Sequence, residues 1–168
     1  AQSLLIATAR AQSQWSQPVT VLLCITLLAL PCASLRTNLP VVDLSNDYSA
    51  YDYGSKVLAQ VPDQSIIITA TDPHTFTLWY FARVATGRTQ VAVIDRDLLG
   101  YDWYVGGLRA SYPWIRLPRP SPGEAVTLRN LIDGNVERLA VFLADKDAEL
   151  TSQYRCRKQG SLYRLDDK

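Results

Sequence analysis

Apolar and polar positions follow two regimes along this chain. From Trp15 to Leu35 no residue is charged, and Val19 to Leu30 reads Val-Thr-Val-Leu-Leu-Cys-Ile-Thr-Leu-Leu-Ala-Leu. At ~1.5 Å per residue a helix of that stretch is about 30 Å long, the hydrocarbon thickness of a bilayer. The pattern predicts a transmembrane helix over about 18–35, with Trp15 as an interfacial anchor and Pro31 as a point where it can stop, near Leu30. A secretory signal peptide is a rival, with Arg10 as the charged flank and Ala33-Ser34 as the small residues beyond the apolar run. A buried core helix is a third reading, but nothing later in the chain looks large enough to wrap it. Residues 1–35 are therefore read as the end of a membrane region and 36–168 as a soluble domain. Arg10 and Arg36, on either side of the span, leave its orientation open.

Beyond residue 35 the periods change to those of alternating strands and helices. Asp52–Gln60 predicts a helix with Tyr53, Val57 and Ala59 on or near one face. Pro62-Asp63 breaks it before the β-branched run Ser65–Ala70, a strand of the kind buried on both faces. Thr71-Asp72-Pro73 is an N-cap signal for a helix running through Trp79 and Tyr80 to about Ala85, closed by Gly87. Gln90–Ile94 is the next strand, Tyr101–Ser111 a helix weakened by Gly106-Gly107, and Trp114–Leu117 a third strand. After the rigid loop Pro118–Gly123 come a helix over Glu124–Ile132 ended by Gly134, a strand Leu139–Leu143, and a hairpin of Tyr154–Arg157 and Leu162–Leu165 around Gly160. No internal repeat interrupts this order. It predicts an α/β fold: a small parallel, Rossmann-like sheet with flanking helices and right-handed crossovers, preceded by one transmembrane helix.

Composition narrows the function classes. Lys and Arg number 17 and Asp and Glu 16 in 168 residues, a net charge of +1 that argues against a nucleic-acid-coating protein, a polybasic membrane arm or an acidic tail. Residues 1–35 hold one charge, Arg10, so the remaining 32 cancel at 16 against 16 in the rest of the chain. Cys24 and Cys32 belong to the apolar segment and Cys156 stands alone in the soluble part, which offers neither a disulfide framework nor a metal-binding cysteine pair. The chain contains no methionine and starts at Ala1, and so reads as a processed or excised piece whose active site can lie upstream.

Candidate chemistry gathers at the strand ends. Asp72, Asp95 and Asp145 each follow a predicted strand, and in an open α/β sheet all three fall at the carboxyl edge, where ligands bind. His74, the only histidine, and Asp97 lie beside them. Carboxylates with an imidazole can hold a divalent metal or perform acid–base work. The plainer reading is capping, since aspartate between strand and helix is a routine N-cap and Pro73 strengthens that role for Asp72. Aromatic density is the second feature: Tyr48, Tyr51 and Tyr53, then Phe76, Trp79, Tyr80 and Phe81, then Tyr101, Trp103 and Tyr104. Trp79, Tyr80, Trp103 and Tyr104 can stack on sugar rings and hydrogen-bond them. Core packing, or contact with a membrane or partner, explains the same aromatics. No Gly-x-Gly-x-x-Gly, phosphate-cradling loop or Gly-x-Ser-x-Gly elbow is present, and no serine near His74 looks activated. Neither a cofactor nor a resident metal is expected.

Several phrases, in order, carry a resemblance: Asp43-Leu44-Ser45-Asn46-Asp47-Tyr48-Ser49-Ala50-Tyr51-Asp52-Tyr53, Thr75-Phe76-Thr77-Leu78-Trp79-Tyr80, Arg88 before Val91-Ala92-Val93, and Leu98-Leu99 with Trp103-Tyr104. Over roughly residues 40–105 the chain resembles the region after the last membrane helices of a large bacterial membrane-protein family related to protein O-mannosyltransferases. It departs from that pattern at Thr71-Asp72-Pro73-His74, where relatives often have a Gly-Asp-Asn-Asp-like run, and at Arg88-Thr89-Gln90-Val91, where they often have Arg-Pro-Asp-Val. The resemblance implies a polytopic glycosyltransferase using a lipid-linked sugar donor outside the cytoplasm, with catalytic carboxylates in an early loop absent from this chain. The expectation is then an extracytoplasmic, C-terminal and non-catalytic domain that binds an acceptor or partner or supports the membrane core. Its partners would be the bilayer, the upstream core and a glycan or protein acceptor, with no nucleic acid. The alternative is a freestanding anchored module holding a small polar ligand or metal at the strand-end edge.

Overall fold

The computed structural model describes residues 2–118 and 126–167, with side chains from residue 17 onward. It divides the chain into two units, residues 1–47 and 48–168.

The first unit is one helix, α1 (Gln2–Val42), which passes through Pro18, Pro31 and Pro40 without ending. The stop that Pro31 allows near Leu30 does not occur, and the helix runs past Leu35, where the span was expected to end. Each proline removes one backbone donor, a loss a long apolar helix survives when its other polar groups are satisfied locally. They are: Thr26 Oγ1 donates to the Leu22 carbonyl at 2.9 Å, Thr37 Oγ1 to that of Ala33 at 3.0 Å, and Asn38 Nδ2 to that of Ser34 at 2.8 Å. Gln17–Val42 is long and apolar enough to cross a membrane, and all of its side chains are exposed. An exposed apolar surface of this length is of the kind that lipid covers.

The second unit is an α/β layer structure built on a five-stranded sheet. Its elements are α2 (Ser49–Gln60), β1 (Ser65–Thr69), α3 (Asp72–Tyr80) continued by a wide π turn over Phe81–Ala85, β2 (Val91–Asp95), a 3-10 turn over Asp97–Gly100, α4 (Asp102–Ser111), α5 (Leu128–Asp133), β3 (Ala140–Leu143), α6 (Ala148–Gln153), β4 (Arg155–Gln159) and β5 (Leu162–Asp166). Strand order is β2-β1-β3-β5-β4. β1 pairs parallel with both β2 and β3, whereas β5 pairs antiparallel with β3 and with β4. The sheet is therefore mixed and not purely parallel. The closing hairpin turns at Gly160, whose φ of 59° is open to glycine at little cost. β5 then lies directly against β3, a placement no crossover helix could give.

β1 to β3 are apolar on both sides because both sides are covered. Ile67, Val93 and Phe142 face α2 and α3, packing on Val57, Leu58 and Leu78. Ile66, Ile68, Ile94 and Leu143 face the other way, toward Val105, Leu108, Leu131 and Leu150 of α4, α5 and α6. In α2 the buried stripe is Gly54, Val57 and Leu58, and Ala59 points to solvent. Ala59 lies one helical step, about 100°, past Leu58 and so off the expected face. The C-terminal end of α2 is held by Arg88, which donates to the carbonyls of Leu58 and Val61 and pairs with Asp63 at 2.6 Å.

The strand expected over Trp114–Leu117 is irregular backbone instead. The Ile115 N–H turns back to the Tyr112 carbonyl at 3.0 Å, and fully buried Asn135 accepts from the Arg116 N–H at 2.9 Å and donates to the Arg116 carbonyl at 2.8 Å. A carboxamide offers the same donor–acceptor pair as a neighbouring strand, so no strand is needed there. The expected helix over Glu124–Ile132 begins at Leu128, capped by Thr127 Oγ1 accepting from the Asn130 N–H at 3.2 Å. Most of the Pro118–Gly123 loop, and Glu124 itself, lie outside the described residues.

Candidate functional site: an aromatic cleft beside the sheet edge

At the carboxyl edge of the sheet the sequence-predicted acids separate into different local bonds. Asp145, after β3, accepts from the Ala70 N–H at 3.3 Å and meets His74 Nδ1 at 2.9 Å. His74 in turn stacks on Tyr53, ring centroids 4.5 Å apart. The Tyr53 hydroxyl is buried without a partner, and burial, with the Asp145 charge behind it, pushes its pKa up to about 12. Asp95 is buried at the end of β2 and accepts from Thr75 Oγ1 at 3.1 Å and from the Asp97 N–H at 2.9 Å. Asp97 keeps its own carboxylate exposed beside Arg96 at 3.4 Å. Asp72 is exposed in the first turn of α3, and the cap position belongs to Thr71, whose side chain makes no capping bond. The capping expected of Asp72 is thus not made by its side chain. Arg96 bridges to Asp147 at 2.6 Å, closing the edge from above β2 to above β3.

Of the carboxylates that sequence reasoning placed together, these bonds take up Asp95 and Asp145, while Asp72 and Asp97 stay exposed and apart from them. The cavity left between Ala70, Asp145 and Leu150 is about 30 Å³, room for roughly one water. Among the described residues no group of three or more His, Cys, Asp and Glu side chains is placed to hold a metal ion. A polar depression of about 320 Å³ opens beside Arg96, Thr127 and Arg129, but Arg96 is already committed to Asp147 there.

The larger opening, about 380 Å³, lies along the free side of β2. Trp79 of α3 and Arg83 of the π turn line it together with Trp103, Tyr104, Gly107, Leu108 and Ser111 of α4. Two of these side chains are fixed by the outer edge of the strand. On that side of β2 the Val91 N–H donates to the Arg88 carbonyl at 3.1 Å, and the next groups along the strand meet side chains. The Trp79 indole N–H donates to the Val93 carbonyl at 2.9 Å, and the Tyr104 hydroxyl accepts from the Asp95 N–H at 2.9 Å. Burial pushes the Tyr104 phenol up to about 12, so it stays neutral in that role. Arg83 lies over the Tyr112 ring, 5.9 Å from its centre, and donates to its hydroxyl at 3.3 Å. Of the sequence candidates, Trp79, Trp103 and Tyr104 meet here. Tyr80 points elsewhere, exposed and edge-on to Phe81 at 5.6 Å.

Arg83, Gly107 and Ser111 are the residues that reading by type missed. Helical spacing carried the signal: Arg83 follows Trp79 by four, and Gly107 and Ser111 follow Trp103 by four and eight.

The architecture defines an α/β unit following an apolar helix fit to cross a membrane. Within it, residues 50–113 match the family described as TMEM260-associated domain 2, a stretch that contains every residue of the cleft and neither Asp145 nor Asp147. The protein O-mannosyl-transferase tmem260 of Dictyostelium discoideum is 21% identical over 126 residues, covering 73% of this chain and 15% of that protein. The chain thus spans a small part of that relative's length. No solved structure matches the chain. Together the two matches support a relation to O-mannosyltransferase-like proteins, and with α1 they associate the chain with a membrane.

Proposed function

We propose that this chain is part of an O-mannosyltransferase-like membrane protein, in which α1 spans the bilayer and residues 48–168 form a non-catalytic module outside the cytoplasm. The module holds an acceptor or steadies the upstream membrane core. Likeness to the tmem260 protein over 126 residues carries the reading. The site geometry supports its non-catalytic part: Asp95 and Asp145 spend their oxygens on backbone and side-chain bonds within the unit, and His74 is held against one of them. A general acid or base needs a group facing a reacting atom, with room for substrate beside it. A polar ligand or metal at the strand-end edge is disfavoured by the same bonds and by the 30 Å³ cavity.

The test is transfer of mannose from a lipid-linked donor to protein. Membranes carrying the intact protein should perform it, and the purified chain should perform none. Transfer by the chain alone would refute the non-catalytic role. A reporter fused after Lys168 should be reached by protease from the extracytoplasmic side, and protection there would refute the orientation.

A further inference from the structure

The cleft beside β2 differs from the strand-end edge in presenting an exposed tryptophan face and a guanidinium in no ion pair among the described residues. Trp103 packs edge-on to Tyr104 at 5.7 Å and lies tilted beside Tyr101 at 6.2 Å, yet remains 68% exposed. Its neighbours Trp79 and Tyr104 are each tied to the sheet by one of the bonds described above. Gly107 leaves the wall between them bare, since a Cβ there would meet nothing within 4 Å. At the rim stand Ser111 and Arg83, the latter supported by Tyr112 and in no ion pair among the described residues.

A flat apolar wall with polar donors at its rim suits a ligand that is apolar on one face and oxygen-rich at its edge. A pyranose ring has that form, with axial C–H bonds over an aromatic plane and hydroxyls projecting sideways. An apolar peptide side chain would cover the wall but strip water from Arg83 and Ser111 without replacing it, a cost that weakens binding. The volume of about 380 Å³ falls within the range of small-molecule sites. Arg83 adds charge complementarity, because a guanidinium bonded only to a neutral phenol favours a ring bearing phosphate or carboxylate.

We propose that the cleft between Trp79 and Trp103 is a sugar-binding site, in which a pyranose ring stacks on Trp103 and its oxygens bond Arg83 and Ser111, with preference for an anionic ring. The assignment deepens the acceptor-holding role proposed above and rests on it for its biological setting, though not for its chemistry.

Titration of the full chain in detergent micelles tests it, read by tryptophan fluorescence and calorimetry. The probes are methyl α-mannopyranoside, mannose 6-phosphate, glucuronate, inorganic phosphate and a short apolar peptide. The two anionic sugars should bind saturably, methyl mannoside several-fold more weakly, and phosphate and peptide not at all. Trp103→Ala, an exposed change, should weaken every sugar at least tenfold. Arg83→Gln should erase the anionic preference and keep the neutral sugar, and Gly107→Phe should block the cleft. Failure of all three sugars to saturate, equal binding of phosphate, binding of the peptide alone, or sugar affinity unchanged in Trp103→Ala would each overturn the site. Mannose transfer by the intact protein is scored separately. Sugar binding without transfer sinks the parent reading and leaves the site, while transfer with a sugar-blind cleft does the reverse.

Discussion

Two glycines inside helices should respond to the same substitution with opposite signs. Gly107, in α4, has open space where a Cβ would go. Gly107→Ala therefore collects the full helix-propensity gain, ~0.8–1 kcal/mol. Gly54, in α2, gains the same on the unfolded side, but a Cβ there would lie 2.4 Å from Phe81 Cδ2 and 2.7 Å from its Cγ. The ring cannot swing away freely. Phe81 is buried, with Tyr51 edge-on at 5.4 Å and Tyr80 at 5.6 Å. Overpacking of that kind costs ~1–3 kcal/mol, so Gly54→Ala should lose about 1 kcal/mol net. The two variants should thus differ by about 2 kcal/mol, roughly thirtyfold in the unfolding equilibrium constant. Urea unfolding of the chain in micelles, followed by near-ultraviolet circular dichroism, measures the difference at constant denaturant slope. Adding Phe81→Leu to Gly54→Ala should recover part of the loss. If Gly54→Ala stabilises as much as Gly107→Ala, the close approach of α2 to Phe81 is wrong and the reasoning fails with it.

Two further outcomes follow from single polar groups. Asp147 caps α6 by accepting from the Leu150 N–H at 3.0 Å and pairs with Arg96 at 2.6 Å, so Asp147→Ala should cost ~1–2 kcal/mol at neutral pH by urea unfolding. The Leu150 N–H and then Arg96 hold this carboxyl below its ordinary 3.8. The deficit should accordingly be complete above pH 3.8 and shrink as pH falls through the lower folded value. Tyr104→Phe strands the Asp95 N–H and should cost ~1–3 kcal/mol. Because burial raises the Tyr104 phenol from 10 to about 12, wild-type stability should decline as pH climbs between those values, and the variant should lose that part of the decline. A wild-type and variant pair with parallel pH profiles would contradict the buried hydroxyl.

Elements carried by strong local periodicity were legible before the structure. The β-branched run at Ile66–Ile68, the helix through Trp79 and the Gly160 hairpin stand where the pattern put them. What failed depended on distant partners. Trp114–Leu117 looks like a strand in isolation, and only Asn135, far along the chain, explains why its backbone pairs with a side chain. The antiparallel placement of β5 beside β3 is likewise a tertiary fact. Six-residue α6 is too short for a periodic signal, and only its Asp147 cap marks it. At the site, residue type led toward the acids, but burial and hydrogen bonding decide whether an acid is available, and neither can be read from spacing. The aromatics were found by type. Their role became clear only when the outer side of β2 brought α3 and α4 together.

That outer side has a consequence for self-association. A peripheral strand normally offers its bare amides and carbonyls to any extended chain nearby, the first step toward swapped or fibrous assemblies. In β2 an indole and a phenol sit on that ladder like stoppers, while β4, at the opposite margin, carries Arg155 and Lys158 beside Arg157, which pairs with Asp166 at 3.3 Å, and charges of that kind disfavour edge-to-edge pairing. The cleft aromatics thus occupy two of the groups that a sixth strand would need, and removing Trp79 would bare one of them as well as open the cleft.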